Sequence, residues 1–345
     1  MSQEKTEPKN KYEIGEIVFD ITKLNKMLTK PGISDGKVIV PEYDKDGKKS
    51  PERYVVVNVT PLKVNNEAYS ITPFDICILD TIYSMIHNDI KTFTIEELAN
   101  RLVKREVKFD STKMQIPPLF FQEARIPSLS PENNTEISVE ELNFYNYLHF
   151  CVSKLARIDV MIDYTHFKRP CDVEPGEEYV QYKRNIVYGR LLPLKGHISQ
   201  TVAMKKEKVH YIVEEIPILF EYAIQCKRLA RGPAKLMATP LRATPENITL
   251  QNAVARRIIQ IKNKNNHSAS NRISYEWGKN NEKGLLTRIG VKREHFSSDA
   301  NWSKKKGKIH KAVGQILEKY KADNIIKDYH EVKNGQVNVG YDIEV

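Results

Sequence analysis

Residues 309–345 constrain the fold most. Ile309, Val313, Ile316, Leu317 and Tyr320 stand at spacings of 4, 3, 1 and 3, which places them on one stripe of a helix. After it come the run Ile325–Tyr329, the turn Lys333-Asn334-Gly335-Gln336 and the run Val337–Val345. Asn-Gly between alternating runs signals a hairpin, because both central residues of that turn take positive φ. The stretch before the helix fits the same unit. Thr249 is positioned to cap a helix carrying Val254, Ile258 and Ile261. An Asn-rich loop follows (263–271), then a short strand at Ile273–Tyr275 and a second helix around Asn280–Ile289 that stops at Gly290. Ser298 or Asp299 starts the third helix.

That unit also holds the charge. Between Leu250 and Lys311 lie fifteen Lys/Arg against four acidic residues, an excess larger than the net +10 of the 345-residue chain. Arg256, Arg257, Arg272, Lys292 and Arg293 precede the third helix. Lys304, Lys305, Lys306, Lys308 and Lys311 crowd its first half, beside Asn301. Cationic charge concentrated on a helix–hairpin unit is the footprint of a DNA-binding module. Lysines contact phosphates and position the protein, whereas an Asn can pair with adenine. The apolar stripe begins only at Ile309, so the helix start is expected to protrude toward the duplex. Lys333, at the hairpin tip, is a candidate wing contact. The competing reading of the lysine run is a solvated helix face.

Residues 70–192 show the same order of elements. Thr72-Pro73 opens a helix with Ile76, Leu79, Ile82, Tyr83 and Ile86 on one face. Lys91–Phe93 is extended, and Thr94–Glu97 is a capping box that starts a second helix to about Lys104. After a Pro-rich loop, Ser138–Glu141 caps a third helix, Val139–Ala156. Runs at Ile158–Tyr164 and Tyr179–Leu192 then read as a hairpin. Helix, strand, helix, helix, hairpin is the order of a winged helix, in which the third helix enters the major groove and the wing touches the backbone. Here the third helix opens on glutamates, which repel phosphate. The cations Lys168, Arg169, Lys183 and Arg184 lie in the expected wing instead. This unit is expected to bind DNA through its wing or to serve in homodimer formation.

The rest is shorter. Residues 1–11 read as a disordered tail, and 12–69 as a small N-terminal β element with strands near Ile14–Ile21, Lys37–Pro41 and Tyr54–Pro61. Residues 193–248 form a bridge: a hairpin (His197–Met204, Val209–Glu215), a short helix at Pro217–Arg228 and an extended Lys235–Leu241. Lys227, Arg228, Arg231 and Lys235 make a further basic patch there. The fold class is therefore α+β: two winged-helix domains (70–192 and 249–345) joined by a β-containing bridge, with the N-terminal β element added.

Several functions are excluded or disfavoured. The sequence has no run of about 18 apolar residues, so no membrane span is expected, and Met1–Lys11 lacks the apolar core of a secretory signal. Four scattered cysteines, Cys77, Cys151, Cys171 and Cys226, contain no CxxC pair and fit a reducing cytoplasm. There is no GxxxxGK[ST], GxSxG or HExxH. The histidines form no HxH pair of the kind a metal-dependent nicking enzyme uses. Asp159, Asp163 and His166 cannot share one face of a regular strand. No catalytic residue, metal or cofactor is expected.

Three phrases carry a resemblance. Ser70-Ile-Thr-Pro-Phe-Asp75, Ile216-Pro-Ile-Leu-Phe-Glu-Tyr222 and Thr249-Leu-Gln-Asn-Ala-Val-Ala-Arg-Arg-Ile258 resemble segments of the replication initiator proteins of theta-replicating plasmids and mobile elements of low-GC Gram-positive bacteria. The resemblance spans roughly residues 70–345. It implies binding to repeated origin sequences in double-stranded DNA, opening of a nearby AT-rich segment and recruitment of host replication proteins. The loop 106–137 and the N-terminal β element depart from it. A transcriptional regulator with the same DNA-binding units is the alternative, and a rolling-circle nicking enzyme is a third.

Overall fold

The computed structural model describes residues 16–20, 37–43, 49–60, 63–64, 67–68, 71–107, 126–127, 136–137, 144–167, 183–199, 208–226, 228–263, 270–276 and 284–345. The expected tail 1–11 and most of the loop 106–137 lie outside them. The chain begins with β1 (Glu16–Asp20), β2 (Lys37–Tyr43), β3 (Lys49–Thr60) and a short pair, β4 (Lys63–Val64) and β5 (Glu67–Ala68). Next come α1 (Pro73–His87), β6 (Thr92–Thr94), α2 (Ile95–Val103), a second short pair β7 (Ile126–Pro127) and β8 (Glu136–Ile137), and α3 (Phe144–Ala156). The middle holds β9 (Asp159–Asp163), β10 (Ile186–Arg190), β11 (Leu194–Ser199), β12 (Lys208–Val213), α4 (Ile218–Gln225) and β13 (Leu229–Pro233). The C-terminal unit consists of α5 (Pro245–Lys262), β14 (Arg272–Ser274), α6 (Leu285–Arg288), α7 (Asp299–Ala322), β15 (Asp328–Asn334) and β16 (Val337–Glu344). The class is α+β.

The C-terminal unit follows the expected order of helix, strand, helix, helix, hairpin. Its sheet has the order β14-β16-β15, all antiparallel. The turn is one residue later than expected: Asn334 pairs with Val337, so Gly335 and Gln336 form the two-residue loop, and Gly335 alone takes a positive φ, +61°, as the first central residue of such a turn does when it is glycine. Ile309, Val313, Ile316, Leu317 and Tyr320 are all buried, as the stripe predicts. Gly314 lets α7 lie close on the sheet, because a Cβ there would stand 2.9 Å from the Tyr341 hydroxyl. Two local expectations shift. The cap of α5 is Thr244, whose side chain accepts the Asn247 N–H at 3.2 Å, with Pro245 in the first turn. Thr249 sits one turn inside and donates to the Pro245 carbonyl. The segment Ala234–Met237 is a 3₁₀ turn rather than extended chain.

In the first unit Thr72 and Asp75 cap α1 reciprocally, as do Thr94 and Glu97 on α2. The hairpin that completes this unit is not the expected one. β6 pairs with β12 in a sheet ordered β11-β12-β6, so the hairpin expected in the bridge pairs with this unit's short strand. The runs expected as the wing, β9 and β10, do pair with each other, but β9 also pairs with β3 in the sheet β10-β9-β3-β2. Alternation explains this. Val160 and Ile162 of β9 are buried, as are Val55, Val57 and Val59 of β3, so one apolar face spans both strands. The third helix is also not a free one. Phe144, Tyr147, Leu148, Phe150, Cys151, Val152, Lys154 and Leu155 are all buried, which leaves α3 apolar nearly all round.

β1 joins the two units. It pairs antiparallel with β13, over two hundred residues away, from Glu16↔Pro233 to Asp20↔Leu229. Side chains alternate across a strand, and here the faces meet different cores: Val18 belongs to the first unit's apolar cluster, Ile17 and Phe19 to the second's. Ser84 of α1 accepts the Val18 N–H at 2.9 Å. Beside this strand, Arg256 of α5 forks onto Asp80 of α1 through Nη2 at 2.5 Å and Nε at 3.1 Å. Asn252 donates to the same carboxylate at 3.0 Å, and Arg256 also donates to the Asp20 carbonyl at 2.7 Å.

Lys104 ends α2 with φ 55°, in the left-handed region. Its Nζ is buried with no hydrogen-bond partner among the described residues. Burial, and then the neighbouring Arg101, pull its pKa down to about 8. Lys104→Gly removes a stranded ammonium and a backbone cost together. It should raise the unfolding free energy by about 1–2 kcal/mol at pH 7. The folded state releases the Lys104 proton near 8, the unfolded chain near roughly 10.4. Wild-type stability therefore climbs across that window, and the advantage of the variant should shrink. Urea titrations at pH 7 and 10 measure both effects.

Candidate nucleic-acid interface

α7 carries the candidate interface. Ser298 caps it, accepting the Asn301 N–H at 3.2 Å. The first turns do not protrude freely as expected. Trp302 packs on Phe296 with ring centroids 5.4 Å apart, and Lys305 is ion-paired with Glu246 of α5. Lys306 lies over the Trp302 ring at 5.3 Å and reaches Glu276 at 3.7 Å. The phase of the helix divides the lysines. Asn301, Lys304, Lys308, Lys311 and Gln315 are all exposed. At 100° per residue they fall within an arc of about 80°, and they run for roughly 21 Å. Among the described residues Lys304, Lys308 and Lys311 have no ion-pair partner. The result is a cationic ridge opposite the buried stripe.

The hairpin β15–β16 stands beside this helix, fixed by a histidine the sequence reading missed. His310, buried, meets the Tyr275 hydroxyl with Nδ1 at 2.5 Å and the Glu331 carboxylate with Nε2 at 3.0 Å. Its ring stacks on Tyr341 at 4.8 Å. The three partners come from the chain after β14, from β15 and from β16, so one side chain ties the helix to the whole sheet. Position 310 follows Ile309 on the edge of the apolar stripe, which was the available signal.

The other candidate cations are distributed unevenly. Arg256 is part of the join between units and faces Asp80 rather than solvent. Arg257 donates to the carbonyls of Arg272 and Ser270 at 3.0 and 2.7 Å. Arg272 forks onto Asp342 at 2.8 and 3.0 Å. Lys292 pairs with Glu294, Arg293 with Asp299 and Lys333 with Glu331. These last three pairs are exposed and worth little in water, so a phosphate can displace the carboxylates. Arg256 and Lys305 are not available in that way. Their partners are mostly buried, and releasing them would strand a carboxylate.

In the first unit, Lys154 is 3 % exposed and ion-paired at 2.5 Å with the fully buried Asp75, so it cannot reach a duplex. Among its described side chains, α3 exposes only the ridge of Tyr145, His149, Ser153 and Ala156, each in part. His149 is joined to Tyr211 of β12 at 2.8 Å, which parallels His310 and Tyr341 in the second unit. Lys183 and Arg184 are exposed just before β10, which belongs to the β3-containing sheet rather than to the hairpin paired with β6. Lys168 and Arg169 lie outside the described residues, as does Lys227. Of the bridge patch, Lys235 donates to the Asp323 carbonyl at the C-terminus of α7 at 2.5 Å and Arg231 comes within 4.0 Å of Glu16.

Cys77 and Cys151 are buried thiols and Cys226 is half-buried; burial pushes the Cys77 and Cys151 thiols up. Among the described residues no three His, Cys, Asp or Glu are grouped as a metal site, and no helix is long and apolar enough to cross a membrane. No protein-family model matches the chain, and no curated protein matches it. Among solved structures, the crystal structure of domains 2 and 3 of RctB aligns over 93 % of this chain and 95 % of its own, with TM-score 0.38 and 10 % sequence identity.

Proposed function

We propose that the chain is a non-catalytic, sequence-specific double-stranded DNA-binding protein that initiates replication of a plasmid or mobile element. One observation carries the reading: the ridge Lys304–Lys308–Lys311, unpaired among the described residues, with Asn301 at its leading end, beside the hairpin that carries Lys333 near its tip. A helix about 10–12 Å across enters a major groove about 12 Å wide. The lysines then meet phosphates on the groove walls, Asn301 meets base edges, and the hairpin lies along the backbone. α3 is buried, so the second unit supplies the reading helix. The first unit serves as its rigid partner and as the surface for a second copy or for host replication proteins.

Footprinting of the full chain on DNA flanking its own gene tests this. Protection of iterated repeats beside an AT-rich tract is expected. Protection of a single promoter palindrome would replace the initiator reading with a transcriptional regulator. Absence of any footprint at low salt would remove both.

Gly307 offers a second check. It is exposed inside α7, and a Cβ there would meet no atom within 4 Å. Glycine inside a helix costs about 0.8–1 kcal/mol relative to alanine, and here no packing requires it. On the helix surface it lies about 40° past Lys311, at the edge of the ridge, where a bare backbone lets a phosphate strand along that flank approach closely. Gly307→Ala should therefore stabilise the protein by about 0.5–1 kcal/mol while weakening DNA binding. Gly307→Leu should weaken binding further. A stabilised variant with unchanged affinity would place the duplex elsewhere.

A further inference from the structure

Three arginines of the second unit line one pocket. Arg257 of α5, Arg272 of β14 and Arg288 at the end of α6 surround it, with Ser274 and the apolar Ala253 and Leu285. Their charges are not equally compensated. Arg272 is neutralised by the two-pronged contact with Asp342. Arg257 uses Nε and Nη2 on two backbone carbonyls, which accept hydrogen bonds but carry no net charge. Among the described residues the Arg288 guanidinium has neither a hydrogen bond nor an ion pair. Arg257 and Arg288 are both half-buried. Burial, then the charges of Arg257 and Arg256, pull the Arg288 pKa down, and burial does the same to Arg257. Two guanidinium groups thus stand partly out of water in one pocket, facing no carboxylate of their own among the described residues.

Such an arrangement is costly unless an anion completes it. We propose that this pocket binds a phosphoanion. The planar fork of Arg288 matches two oxygens of a tetrahedral phosphate. The unused Nη1 of Arg257 and the Ser274 hydroxyl supply further donors. The site lies on α5, β14 and α6 and uses none of the α7 ridge. Its phosphate comes either from a DNA backbone or from a free phosphorylated small molecule. The proposal does not depend on the α7 reading.

The test uses the full chain and Arg288→Gln, with circular dichroism to confirm that the variant is folded. In the first arm, inorganic phosphate is titrated against chloride at matched ionic strength while thermal unfolding is followed. A free phosphoanion site gives the wild type a saturable rise in Tm that Arg288→Gln loses. Phosphate also stabilises proteins generally by exclusion from their surface, but that rise is unsaturable and equal in both proteins. In the second arm, duplex DNA affinity is measured against salt. If the phosphate belongs to DNA, Arg288→Gln lowers the slope of log K on log salt by about 0.9. Arg288→Lys should recover charge but only part of either effect, because a lysine lacks the fork. A response in either arm supports the site and identifies its source. Equal behaviour of wild type and Arg288→Gln in both arms overturns it. If binding still depends on Lys304 and Lys308 in that case, the DNA-binding reading survives and only the pocket is lost.

Discussion

Asp80→Ala should lower the unfolding free energy by about 3–5 kcal/mol, the cost of breaking a buried ion pair from one side. Asp80 is 3 % exposed and Arg256 17 %. The substitution leaves the Arg256 guanidinium among Phe19, Asn252 and the Asp20 carbonyl with its counter-charge removed. The loss falls on the junction between units, where β1 also presents its two faces to the two cores. Asp80→Leu combined with Arg256→Met should recover most of the stability, because an apolar pair of similar volume avoids desolvating any charge. Chemical denaturation of the wild type and these two variants measures this. A single-variant loss under about 1 kcal/mol would mean that solvent reaches Arg256 and that the units are joined mainly by β1. The geometry has a functional consequence. A junction this well fixed holds the α7 ridge at a constant place relative to the first unit.

What could be read from the sequence follows the range of the interactions. The C-terminal unit was legible because its signals are local: the stripe from Ile309 to Tyr320, the Asn334-Gly335 turn and the cap at Ser298. The sequence does not show which of the two hairpins after α3 joins the first unit's short strand, because only the partner of β6 separates them. That partner, β12, is over a hundred residues downstream. The role of Arg256 was hidden for the same reason, since Asp80 lies 176 positions earlier. Two signals were present but weighed too lightly. Ile17-Val18-Phe19 is apolar without alternation, as a strand covered on both faces should be. Phe144–Ala156 is apolar over most of its circumference and confines Asn146, His149 and Ser153 to one narrow arc, which argues against a groove-reading helix. Within the lysine run, the phase relative to Ile309 already divides Lys304, Lys308 and Lys311 from Lys305 and Lys306. The charge of the run pointed to the helix, but only the positions of Glu246 and Glu276 show which lysines remain free.

That division predicts a crossed outcome for two sets of variants. Lys304→Gln, Lys308→Gln and Lys311→Gln together remove three candidate phosphate contacts from the exposed ridge. The slope of log K against log salt should become shallower by about 2.7, at about 0.9 per contact. Between 50 and 200 mM salt, the affinity gap to the wild type should then narrow about 40-fold. Stability should stay within about 0.5 kcal/mol, since these side chains hold nothing in the folded chain. Lys305→Gln should behave oppositely. Lys305 and Glu246 are 16 % and 18 % exposed, so the substitution strands a carboxylate and costs about 1–3 kcal/mol of stability. It should leave the salt slope unchanged. Fluorescence anisotropy across a salt series, paired with urea unfolding, reads both axes. A solvated helix face without a DNA role predicts no change of slope for either set. A duplex bound through the whole lysine run predicts that Lys305→Gln also flattens it. Only a ridge selected by helical phase separates binding from stability in this way, because neighbouring lysines on one helix point about 100° apart.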